Sequence, residues 1–96
     1  MIISATDEIE GGRIGSEIGR IQATSAWHAD GFKAREFELR QLALQALVRR
    51  AEDVDADAIV GVEYDVDAGQ PMTEGGIAMQ RVRVRGLAVR LVMLAA

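Results

Sequence analysis

Apolar and charged residues alternate strictly along Arg81-Val82-Arg83-Val84-Arg85, the period of two that sends successive side chains to opposite faces of a β-strand. The alternation belongs to a run from Ile77 to Met93 that reads as one long strand. Beyond Gly86 the phase changes, since Arg90 falls on an even number where the earlier arginines are odd, and a β-bulge or bend at Gly86-Leu87 is the expected cause. A second strand is predicted over Ala58 to Asp67, with Val60, Val62, Tyr64 and Val66 on one face and Glu63, Asp65 and Asp67 on the other. The stretch after it, Ala68 to Gly76, carries the only proline and reads as a hairpin connection.

Between Phe32 and Val54 the pattern is helical. The stretch has no Gly or Pro, is dense in strong helix formers, and follows Asp30, a suitable N-cap. Leu39, Leu42, Ala43, Ala46, Leu47 and Val54 share one arc, which Phe37, Leu44, Val48 and Ala51 widen. A stripe that broad exceeds what one sheet face covers, so either the helix is deeply embedded or part of it meets another subunit. Upstream, Ile14, Ile18 and Ile21 have helical spacing, but Gly15, Gly19 and the β-branched content favour a strand over Arg13 to Trp27, bent at glycine. Met1 to Ala5 is short and β-prone, and a polar turn follows it.

Ninety-six residues make one domain, residues 1–96. With 49% hydrophobic but only 4% aromatic residues, the core is aliphatic, and a small aliphatic core gains from burial in an oligomer. A net charge of −4 argues against nucleic acid as a partner, because phosphate affinity needs clustered Lys and Arg. The absence of cysteine excludes thiolate metal sites, disulfides and thiol catalysis. No stretch is long and apolar enough to span a membrane, and MIISATDEIEG has acids where a signal peptide has a basic start, so a cytoplasmic location is expected.

Glu63, Asp65 and Asp67 suggest a hard-metal site, because carboxylates on alternate strand residues lie ~7 Å apart and can converge on an ion with help from a neighbouring chain. The competing reading is an ion-pair ladder. Only a register that sets odd residues against odd ones keeps Arg81, Arg83 and Arg85 off the valine face, for example with Asp65 opposite Arg81 and Glu63 opposite Arg83. That register pairs acids with arginines, whose field repels a cation. The ladder is therefore the leading reading.

His28, the only histidine, has Asp30 two residues on, and these two are the candidate ligands for a divalent metal ion. A lone histidine near a strand end is more often a surface or capping residue. Trp27 and Phe32 read as core or interface anchors. The serines lack an elbow motif, and GGRIGSEIG lacks both the GxGxxG register and the lysine of a phosphate loop. No catalytic residue is assigned, and the chain is not expected to be an enzyme.

The order of SATDEIEGGRI, a helix, DADAIVGVEYD and a strand ending RGLAVRLV resembles the YbjQ-like family, also called the "putative heavy-metal-binding" domain family. Ala56-Asp57-Ala58-Ile59-Val60-Gly61-Val62 carries most of the resemblance, with Ile9-x-Gly11-x-x-Ile14 before it and Gly86-x-Ala88-Val89 after it. The resemblance implies an α+β, β-α-β-β two-layer subunit like that of dodecin, with a three-stranded antiparallel sheet in the order 1-3-2 and one long helix. It also implies a short N-terminal strand used in oligomerisation and assembly into a ring, typically a pentamer. A metal ion or small ligand would then lie between subunits; the alternative is a purely structural or interaction module. The chain looks like a shortened member, since only Ala26 to Gly31 separates its early strand from the helix. Asp55 stands where the family usually has glycine, a substitution that a left-handed helix exit tolerates.

Overall fold

The computed structural model describes residues 1–9, 11–28, 32–68 and 79–93, without the side chains of Phe32 and Met93. Its elements are β1 (Ile2–Ile3), β2 (Gly12–Thr24), α1 (Phe32–Asp53), β3 (Ala58–Ala68) and β4 (Gln80–Met93). Ala68, the first residue of the expected hairpin connection, ends β3 opposite Gln80; the rest of that connection and the first two residues of the expected last strand lie outside the described residues.

The strands form one sheet in the order β1-β3-β4-β2. The three long strands thus stand in the anticipated 1-3-2 order with β4 central, and both its neighbours are antiparallel to it. The sheet is nevertheless four-stranded and mixed, because β1 docks parallel on the outer side of β3, with Ile2 opposite Ala58 and Ile3 opposite Ile59. The N-terminal strand is therefore a pairing element within the subunit, and the likeness to a dodecin subunit is inexact.

The helix ends where the sequence prescribes. Asp55 has φ 58°, the Ala56 amide donates to the Ala51 carbonyl at 3.0 Å, and the Asp55 amide donates to Glu52 at 3.0 Å. These are the two bonds of a Schellman cap, with aspartate in the position usually held by glycine. Leu39, Ala43, Leu47 and Ala51 recur every fourth residue and bury one stripe against Ala23, Ile59, Val62, Val82 and Val84. Leu42 and Val54, expected on the core arc, are exposed, and Phe37 is 73% exposed.

Parity along β3 changes at a bulge. Ala58, Ile59 and Val60 oppose Val89, Ala88 and Leu87, but Glu63 opposes Arg85, so Gly61 and Val62 together face the single residue Gly86. Gly61 has φ 60°, a conformation that glycine adopts without cost. As a result Ile59 and Val62 both reach the helix, whereas Val60 turns to the opposite face and does not share the side of Val62, Tyr64 and Val66. The irregularity expected on β4 at Gly86-Leu87 thus belongs to β3. Gly86 is required for a different reason, since a Cβ there would lie 2.6 Å from Ile59 Cγ2 and 3.2 Å from the Val60 carbonyl. On its other side β4 meets two further register shifts, at Gly15 and Ile18 of β2, the strand predicted to bend at glycine.

The face away from the helix has two halves. At one end Ala58, Val60 and Val89 form a second buried cluster with Ile14, Leu87 and Leu91, covered by Ile9 from the N-terminal segment. Arg90 is exposed beyond the reach of the helix, so β4 changes its chemistry along its length without changing phase. The other end of this face is the charged ladder.

Candidate functional site

The register beyond the bulge sets Glu63 against Arg85, Asp65 against Arg83 and Asp67 against Arg81. This is the odd-against-odd arrangement, displaced by two residues from the illustrative pairing in the sequence reading. Arg83 Nε donates to Asp65 Oδ1 at 3.0 Å and its Nη2 to Oδ2 at 2.6 Å, a bidentate pair. Arg81 Nε donates to Asp67 Oδ2 at 2.8 Å. Arg85 bridges, with Nη2 3.4 Å from Asp65 Oδ2 and Nε 4.0 Å from Glu63 Oε2. Arg81 also lies over the indole of Trp27, 4.2 Å from the ring centroid, which anchors the strand leaving β2 to this face.

These contacts set the electrostatics. The hydrogen bonds from Arg83 hold the Asp65 carboxyl below its ordinary value against an opposing effect of burial, with smaller help from the charges of Arg83 and Arg85. The same pairing raises Arg83. A cation approaching Asp65 would have to displace two guanidinium donors, so this carboxylate is committed to the fold.

His28 is half-buried and pairs through its backbone. Its amide donates to Gln80 O at 2.8 Å and its carbonyl accepts from the Gln80 amide at 2.9 Å, a bridge that continues the β2–β4 pairing past Thr24. Asp30 lies outside the described residues. Among the described residues, no three His, Asp or Glu side chains come together in a way that could hold a metal ion.

Other contacts have no signature in the sequence. Ser25 is buried, its hydroxyl accepting from the Val82 amide at 3.0 Å and donating to the Ala26 carbonyl. Asp57 Oδ2 accepts from the Leu91 amide at 2.9 Å, tying the start of β3 to the end of β4. Both depend on residues more than 30 positions apart, which no local motif announces.

The described residues form a small α+β subunit whose sheet carries one charged face of paired acids and arginines. The chain belongs to the YbjQ-like family: residues 28–92 match its family model, which is described as "putative heavy-metal-binding". It is similar to a UPF0145 protein of Pseudomonas putida (strain GB-1), with 33% identity covering 95% of this chain and 99% of the relative. A UPF0145 protein of Pseudomonas entomophila is 32% identical over the same shares. That first alignment spans 109 positions against the 96 residues here, so the relatives carry segments this chain lacks. A crystal structure of a DUF74-family protein of unknown function from Pediococcus pentosaceus shares the fold, with TM-score 0.65 and 22% identity over 96% of this chain and 98% of that one. The family description names a binding role and no reaction. Among the described residues no helix is long and apolar enough to cross a membrane.

Proposed function

We propose that this chain is a non-catalytic, cytoplasmic assembly module that works as a ring of identical subunits, a pentamer by family resemblance, and that holds a metal ion or small ligand between subunits. The observation that carries this reading is the amount of apolar surface a lone subunit leaves wet. Ile2, Ile3, Val66 and Phe37 are all exposed on a molecule measuring 59 × 22 × 17 Å. Its radius of gyration is 16.0 Å, against about 12.5 Å for a compact domain of this length. An elongated sheet covered by a single helix gains its missing burial from neighbours.

The ligand belongs between subunits because the β3 acids are already paired with arginines of their own chain. A second reading, a structural ring with no ligand, is favoured by the lack of a three-ligand cluster among the described residues. Elemental analysis and titration calorimetry with zinc, copper, nickel and cadmium on tag-free oligomer decide between them. Bound metal or a saturable heat supports the ligand-holding ring; neither leaves the structural ring.

A further inference from the structure

Around the β3 bulge, the sheet face away from the helix carries two rows of side chains across its three long strands. Arg20, Leu87 and Val60 stand opposite one another in one row, and Gln22, Arg85 and Glu63 in the next. A hollow of about 180 Å³ opens over these rows, lined by Val60 and Leu87 and bordered by four charges, those of Asp7, Glu63, Arg20 and Arg85.

The acids and the arginines come from different sides of the sheet. Glu63 is on β3, and Asp7 lies beside the same strand, its Oδ1 3.2 Å from where a Cβ on Gly61 would sit. Arg85 is on β4 and Arg20 on β2. The hollow is therefore negative toward β3 and positive toward β2. The segment carrying Asp7 is held in place, because the Gly61 amide donates to Thr6 O at 3.0 Å and the Val62 amide to Ser4 O at 3.1 Å. Within that segment the Thr6 amide donates to Ser4 Oγ at 3.1 Å and the Glu8 amide to Thr6 Oγ1 at 3.3 Å.

Two of the four charges stand outside the ladder. Among the described residues neither Asp7 nor Arg20 has an ion-pair partner. The other two hold each other loosely, with Arg85 Nε 4.0 Å from Glu63 Oε2 and the Glu63 side chain 74% exposed. A bare cation drawn by the acids would meet two guanidinium groups, and a bare anion drawn by the arginines would meet two carboxylates. A molecule carrying both charges a few bonds apart satisfies each side at once. The space is smaller than the roughly 300 Å³ at which sites for larger organic ligands begin, so the molecule is small. We infer that this hollow takes a small zwitterion, an amino acid the size of glycine or alanine, with its ammonium toward Asp7 and Glu63 and its carboxylate toward Arg20 and Arg85. The site lies within one copy, apart from any ligand held between subunits, and does not depend on assembly.

Amide NMR of the full chain with glycine as the probe tests it. Titration is expected to move the Gly61, Val62 and Leu87 amides saturably, with about millimolar affinity for so small a ligand. Acetate and methylammonium, each carrying one of the two charges, should bind at least about tenfold more weakly. Arg20→Gln and Asp7→Asn, both at exposed positions, should each weaken glycine binding by about tenfold or more and leave amides remote from the hollow in place. Absence of a saturable response to glycine overturns the inference. So does acetate or methylammonium binding as tightly as glycine, which would mark a plain anion or cation site, and so does undiminished glycine binding by either variant.

Discussion

Asp65 lies directly opposite Arg83, and its two carboxylate oxygens accept two hydrogen bonds from that one guanidinium. The folded state therefore favours the ionised carboxylate, and the Asp65 pKa falls below its ordinary 3.8. Stability from the pairing is present above that value and disappears as pH falls through the lower, folded one. Asp65→Asn is expected to cost little at pH 7, because about a third of the side chain is exposed and solvent screens it. Below about pH 4 the variant should lose less stability than wild type, as read from urea midpoints across the acid range.

Gly61 makes the parity change possible. Gly61→Ala places a Cβ at φ 60° and 3.2 Å from Asp7 Oδ1, so it is expected to destabilise by about 1–2 kcal/mol. The urea midpoint should drop with an unchanged slope.

Leu47 and Phe37 separate folding from assembly. Leu47 is fully buried at the centre of the helix stripe, and Leu47→Ala should cost about 2–5 kcal/mol. Phe37→Ser, on an exposed site, should change subunit stability by no more than about 0.5 kcal/mol. Its effect is expected in the oligomer, where sedimentation velocity should show a shift toward smaller species.

His28 contributes backbone bonds to the fold, so His28→Ala should melt within a few degrees of wild type. If the ring holds a transition metal through imidazole, the same variant loses that metal in elemental analysis. Retention of metal would move the site to carboxylates or backbone oxygen.

How much was legible in the sequence follows from the range of each interaction. The helix was readable because Phe32–Asp53 contains no Gly or Pro and its cap uses Asp55 locally. The ladder was readable because Arg81, Arg83 and Arg85 alternate with valines, which leaves one acceptable register parity. The side on which Val60 lies was not, because one extra residue at Gly61 reverses parity and the residue it faces, Gly86, is on another strand. The docking of β1 on β3 also escaped, since two isoleucines carry too little pattern to name a partner. His28 and Asp30 suggested a pair of ligands through proximity in sequence; the structure shows the strand-bridging backbone bonds of His28, and Asp30 lies outside the described residues.

Native mass spectrometry of the tag-free chain at micromolar concentration tests the central claim most directly. A discrete homo-oligomer, five copies in mass, is the predicted result, whereas a monomer as the sole species would contradict it.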